Sequence, residues 1–580
     1  MRSLYVIALS GLWGRGLYSL FSKGVLLGVT GLLQRPKTHV GLFSYASGHA
    51  AVPHPADRRR VCSARGAEAA LSGVLRFGFS SLLLCMLGES VPAQAEQTLV
   101  SVSGVTIQSG LDIGGSAFHL PHINFGSGSY APRASGGYTR HANTTYGELY
   151  GKPMLKGEWK TGWGFDIIGS ASAIGATTLG DGDAEQVSQT SGTPRSVYLE
   201  EAYAGIRVPV RLVGGHQVFT VQGGRQAFAV DDGFLIGKGT YSSGERGAWW
   251  YAPRFAFSGP GVIKLEGDPI RADVFMLESN SDNDIDRGFD RPKTSFVGFD
   301  VTWFANKAGG HGASVYADRA AYVTLTYFHV RDADTSAHYD YSTRADRNGM
   351  NVAALSWGGR VLPVKAMGIS RNFTVYGNFV SEQNSHPGNG YQGVSAYGMY
   401  FEPGYTFSML PWTPHVFYRY TRFGGGKNAK GGVKHNYDTF FLYDGKRYTY
   451  GGYWPGEIVG MYLAPLSDLE DHQIDLTVIP PVHLIRPGDQ VKLGLHFYDL
   501  SLIHVSGMGL RNTGRHVSDE LDASVEYTLD ENTSAALAGG AAFAGPAGRA
   551  LSKAGVPGGQ PMPRIGHHAG VVEAYFYKHF

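Results

Sequence analysis

The groups in this sequence that could do chemistry are charged side chains set inside otherwise apolar, alternating stretches. Arg271 and Asp273 sit in "IRADVFML", Arg419 in "HVFYRYTRF" and Lys492 in "QVKLGLHFYD". A guanidinium is a planar fork that binds a carboxylate at two points and keeps its charge throughout the physiological range. Cations placed this way attract an anion without reacting with it. Reactive arrangements fit poorly. No Gly-x-Ser-x-Gly elbow occurs, and "GGG" at 424–426 lacks the Lys-Ser/Thr of a phosphate loop. His567-His568 and His472…His483 have neither helical i,i+4 spacing nor a companion carboxylate pattern, so no metal site is expected there. "DNDID" spaces Asp282, Asp284 and Asp286 as a calcium loop does. Its glycine falls one place late at Gly288, and Lys293 stands where a bidentate Glu is needed. A solvated external loop is the expectation there, with loose calcium binding as the lesser alternative; no other cofactor is implied.

The elements that must position these charges are strands. Segments of about ten residues recur with apolar and polar positions alternating, each followed by a Gly/Asp/Asn/Pro-rich break. In "SFVGFDVTWF", Val297, Phe299, Val301 and Trp303 face away from Asp300 and Thr302. In "DELDASVEYTLD", Leu521, Ala523 and Val525 face away from Asp522 and Glu526. Soluble antiparallel sheets also alternate. Here, however, charges occupy the middles of the polar faces, aromatics flank the ends, and the segments approach the ~9–11 residues that cross a bilayer on a tilt. The expected fold is therefore all-β: a large antiparallel transmembrane β-barrel of about eighteen strands with long external loops. "TLGDGDAEQVSQTSGTP", "SNSDNDIDRGFDRPK" and "FGGGKNAKGGVKHN" read as such loops.

Composition agrees. Gly is abundant at 82 residues and aromatics make up 12%, which suits many strands joined by turns, while a net charge of +2 gives no electrostatic case for a nucleic-acid partner. No apolar run after Glu96 is long enough to make a membrane-spanning helix. Both cysteines, Cys62 and Cys85, precede that point, so neither disulfides nor thiolate metal sites hold the rest. The stretch "VLRFGFSSLLLCMLGESVPAQAEQ" has the parts of a secretory signal: Arg76, then the apolar Phe77 to Leu87, then a small-x-small site at Ala93-Gln94-Ala95. The expected organisation is 1–73 as an extension ahead of the true start, 74–95 as the signal peptide and 96–580 as the barrel. The last strand, "GVVEAYFYKHF", sets Val572, Ala574, Phe576 and Lys578 against Glu573, Tyr575, Tyr577 and His579.

Two stretches carry a family resemblance. "EEAYAGIRVPVRLVGGHQVFTVQGGRQAFAVDDG" holds Glu201-Ala202-Tyr203 and Gly224-Arg225-Gln226, and "WWYAPRFAFSG" holds Arg254. Together with the late hairpins between Tyr437 and Leu502, these residues resemble the alginate-export family of outer-membrane barrels. The ending on Phe580 also resembles the last strand of such proteins, which the barrel-assembly machinery recognises. The resemblance implies a lumen that passes a polysaccharide passively across the bacterial outer membrane, with periplasmic export components as further partners. It also implies that the pore lining includes Glu201, Arg225, Gln226, Arg254, Lys264, Arg271, Asp273, Arg419 and Lys492, with Glu266 as a further acidic partner. The competing reading of each charge is a salt-bridge ladder that only holds strands in register. Trp249, Trp250, Tyr251 and Trp454 suit an interfacial girdle better than sugar stacking. An uptake porin for small solutes is the alternative function, and a barrel enzyme the less favoured one.

Overall fold

Alternation in the sequence becomes the two faces of one closed sheet. The structure, a computed structural model, describes residues 96–132, 136–181, 194–212, 216–242, 246–248, 250–251, 253–282, 293–305, 321–333, 347–360, 372–387, 392–427, 431–443 and 455–580. These lie within one compact unit, 63–580. The expected extension and signal peptide, 1–95, lie outside the described residues, as do Asp284, Asp286, Trp249 and Trp454.

Eighteen strands form the barrel. The first six are β1 (Val105–Leu120), β2 (Thr144–Lys160), β3 (Asp166–Gly180), β4 (Arg195–Val210), β5 (Gln217–Ala227) and β6 (Ala256–Gly267). The next six are β7 (Ile270–Asp282), β8 (Lys293–Phe304), β9 (Tyr322–Ala333), β10 (Asn351–Gly358), β11 (Phe373–Asn384) and β12 (Gly393–Thr406). The last six are β13 (His415–Phe423), β14 (Leu469–Val478), β15 (Gln490–Leu502), β16 (His516–Asp530), β17 (Thr533–Ala544) and β18 (His568–His579). Each strand pairs antiparallel with its neighbours in chain order. The sheet closes where β18 meets β1, from Asp112 opposite His579 to His119 opposite Val572. Phe580 extends that seam by exchanging backbone hydrogen bonds with Leu111 at 2.9 and 3.0 Å. Below it, a short N-terminal strand, Gln97–Val102, covers the remaining edge of β1.

Several connections at one end are tight, such as 103–104, 268–269 and 531–532. Ser103 (φ 50) and Gly104 (φ 82) join the N-terminal strand to β1 with both central residues at positive φ, as a two-residue hairpin matching strand twist requires. A Cβ on Gly104 would stand 2.7 Å from the Lys160 carbonyl oxygen. The opposite end carries the long connections, above all 228–255, 424–468 and 545–567, the last holding the helix α1 (Pro546–Ala554). We call these the turn end and the loop end.

The outer face is apolar along its length. Val301, Trp303, Leu355, Phe401, Leu495 and Val525 all stand exposed, whereas Asp300, Thr302, Asp522 and His496, one residue out of phase, are buried inside. Exposing one such apolar side chain to water costs roughly 1.5–3 kcal/mol. A belt of them around a sheet with no free edge is the arrangement that lipid accepts and water does not.

Candidate functional site in the barrel lumen

The lumen differs along its axis. Toward the loop end, parts of the long connections turn back inside and pack on inward-facing aromatics. Phe441 stacks on Phe296 of β8 at 4.8 Å and meets Phe257 of β6 edge-on, while Phe440 meets Phe328 of β9. Trp250 stacks on Tyr575 of β18 at 4.3 Å, and Tyr462 bonds to Tyr146 of β2 through their hydroxyls at 3.0 Å. One buried apolar cluster includes Phe234, Ile236, Phe440, Phe441, Val459 and Leu466 from these inserts. Trp250 and Tyr251 therefore stand inside the barrel and not in an interfacial girdle: burial against Phe118 and Tyr575 outweighs their affinity for an interface.

Strand carboxylates fix the inserts. Glu148 of β2 accepts the backbone N–H groups of Trp250 (3.0 Å) and Tyr251 (2.9 Å). Glu520 of β16 accepts those of Ile458 (2.8 Å) and Val459 (2.9 Å), and Glu382 of β11 accepts that of Asp438 (3.0 Å). Asp438 in turn receives a two-point bond from Arg347, at 2.6 Å to each oxygen. Backbone donors in the inserts must find acceptors when buried, and these carboxyl oxygens supply them.

The predicted residues fall into three groups. Arg225 and the backbone just after Arg254 converge on one carboxylate, that of Glu200. Arg225 Nε donates to the Glu200 carbonyl at 2.6 Å, and its terminal nitrogen stands 3.8 Å from the Glu200 carboxylate. The same carboxylate accepts the N–H groups of Phe255 (2.6 Å) and Ala256 (2.9 Å), next to Arg254. Arg254 and Arg246 both lie over the Tyr198 ring, at 5.1 and 3.9 Å. Glu201, named from the sequence, instead accepts the Ala227 N–H at 3.4 Å. Gln226 is buried on the same strand.

A second group is committed to ion pairs. Arg419, fully buried, binds Glu402 at 2.6 Å and Gln473 at 2.8 Å. Arg271 bonds to Asp273 at 2.8 Å, and Lys492 to Glu526 at 2.8 Å. The third group is Lys264 and Glu266 on β6, neither of which makes an ion pair among the described residues. Asp273 and Asp300 face each other across β7 and β8 close to Lys264.

Sequence reading missed Glu200, Tyr198 and Arg246. The pairing of β3 with β4 shifts between Ser172 and Ala173, leaving Glu200 as an extra residue. Such a bulge re-aims a side chain, and here it turns Glu200 inward beside Glu201. Also missed was a buried chain of polar groups running on from Arg419: Gln473 donates to Asp475, Asp475 meets His496, and His496 reaches Ser524 at 3.1 Å. His496 and Asp475 alternate with the exposed Leu495, Ile474 and Leu476, and that alternation is the signal in the sequence that could have found them.

Two carboxyls outside the strands carry unusual acidities. Asp468, before β14, is pushed up to about 6 by burial, against the opposing influence of His504 at 3.0 Å. At Asp489, before β15, burial is outweighed by hydrogen bonds from the Tyr527 hydroxyl (2.6 Å) and the Ile485 and Arg486 N–H groups, which hold it well below the usual carboxylate range.

The decisive feature for location is the closed ladder wearing apolar residues outside and charges inside, a combination that belongs to barrels of the bacterial outer membrane. The chain is an outer-membrane β-barrel. No protein-family model matches it, and no curated protein does. Solved barrels do match. Acinetobacter baumannii OccAB3 aligns with TM-score 0.46 at 11% identity, covering 82% of this chain and 99% of that one. Pseudomonas aeruginosa OccK5 (OpdH) aligns with TM-score 0.43 at 8% identity, over 81% and 98%. The outer membrane protein opdK of the same organism gives 0.42 at 9%, over 82% and 98%. The barrel described above stands on its own strand ladder and not on these likenesses.

Proposed function

We propose that the chain is a passive, solute-selective channel for small charged molecules, taken up through the barrel. The observation that supports this is the filling of the loop-end half of the lumen by inserts pinned to strand carboxylates. A polymer needs a continuous wide bore, whereas inserts packed on the inner wall narrow the bore they enter. The same observation weighs against polysaccharide export, the reading drawn from the resemblance to alginate-export barrels. The wall toward the turn end carries both charge signs, including Lys264 and Glu266, which are available to a passing solute. Charged groups lining a constriction select by attraction without trapping when several weak sites follow one another.

Liposome swelling with the refolded protein tests this directly. Small amino acids, monosaccharides and dicarboxylates should enter at unequal rates, and acidic oligosaccharides should neither enter nor block. Entry or block by a long acidic polymer would return the export reading.

A further inference from the structure

Outside the lumen, one cluster of side chains has the composition and spacing of a metal centre. Asp499 lies on β15 and Asp519 directly opposite it on β16. Each is two residues beyond an outward-facing apolar residue, Phe497 and Leu521, so both carboxylates stand on the outer face at the loop-end margin of the apolar belt. By simple alternation His516 would share the inward face of Ser518 and Glu520. The β15–β16 pairing shifts between Leu500 and Ser501, however, so that Val517 is left over and His516 pairs with Ser501. That bulge turns His516 outward, onto the two aspartates, while Val517 and Ser518 are both buried.

The resulting contacts do not read as hydrogen bonds. His516 Nε2 stands 3.6 Å from Asp499 Oδ1 and 3.4 Å from Asp519 Oδ1, beyond the usual ~2.7–3.2 Å of an N–H···O bond. They do match the edges of a coordination tetrahedron: with metal–ligand bonds of about 2.0–2.1 Å, neighbouring ligand atoms stand about 3.4 Å apart. All three ligand atoms lie within 4.8 Å of one another. Among the described residues neither aspartate has an arginine or lysine partner or a hydrogen bond. Like charges set directly opposite across a strand pair are unfavourable, so the site gains from a cation. One imidazole nitrogen with two carboxylate oxygens suits zinc and its borderline neighbours better than calcium or magnesium, which favour oxygen alone.

We infer that Asp499, His516 and Asp519 bind a single divalent ion of zinc or cobalt type on the outer rim of the barrel. All three side chains are between one third and one half exposed (45%, 37% and 47%), which leaves the fourth position open to water or a lipid phosphate oxygen. The site is independent of what passes through the lumen.

Cobalt(II) titration of the refolded full chain in detergent, followed by visible absorption, tests the inference. One Co²⁺ per barrel should give the band of a tetrahedral ion, displaced by Zn²⁺. Asp519→Asn and Asp499→Asn should each weaken binding about tenfold or more, and His516→Gln should abolish the band. Retained strand content by circular dichroism shows that the variants fold, and if one does not, the other two still decide. Absence of a tetrahedral band, or a titration unchanged in the folded variants, overturns the inference.

Discussion

Two regions of the lumen use charge in different ways: the loop-end inserts with their carboxylate anchors, and the inner wall of β6. Toward the loop end, carboxylates such as Glu148, Glu200 and Glu520 are buried and occupied in holding backbone N–H groups of inserted segments. On β6, Lys264 and Glu266 remain available to solvent. A charge in the sequence therefore does not announce its role. In one region it anchors an insert, and in the other, under the proposed function, it would face a passing solute.

The largest effect should come from cutting the buried chain that starts at Arg419. Arg419→Leu strands Glu402 without its partner and should lower stability by about 3–5 kcal/mol, measured by urea unfolding of the refolded barrel. A loss below about 1 kcal/mol would mean that water reaches this level, and the contrast between regions would fail. On the outer face, Leu355→Arg should cost about 2–4 kcal/mol if the belt meets lipid, and almost nothing if it does not. Within the inserts, Glu520→Ala leaves the Ile458 and Val459 donors unpaired, at about 1–3 kcal/mol for each such group. Hydrogen exchange at 456–462 should then accelerate while the strands stay protected.

Lys264→Glu should change stability by less than about 0.5 kcal/mol yet move the reversal potential toward cation selectivity. An unchanged potential would remove Lys264 from the path. The smallest effect concerns Asp468. Burial raises its folded pKa above the ordinary carboxyl value, to about 6, so stability falls as pH rises from the ordinary carboxyl range through about 6. The backbone bonds that Asp468 makes to Gly424 (3.0 Å) and Ile503 (2.9 Å) should show larger protection factors, after correction for the intrinsic base-catalysed exchange rate, at pH 5 than at pH 7.5. The reverse order would assign the contact to ionised Asp468 instead.

Much of this was legible in the sequence. The alternation in "SFVGFDVTWF" and "DELDASVEYTLD" gives the correct faces, and counting such segments gives the strand number. Period-2 patterning reports burial on one side of a strand directly, so it survives even where each segment is weak. What alternation misses are its own interruptions. The bulge at Glu200 re-aims a side chain that simple periodicity assigns otherwise. Trp250 and Tyr251 looked interfacial because the folding back of a long loop is a tertiary choice, decided by Phe118, Tyr575 and Glu148, more than a hundred residues away in sequence.

The central claim, that pinned inserts narrow the channel, is tested most directly by single-channel conductance. The native chain is compared with one in which residues 455–464 are replaced by a short Gly-Ser link. A small native conductance that rises several-fold on replacement, with entry of larger solutes, is the result this account predicts. Equal conductance from two folded barrels would contradict it.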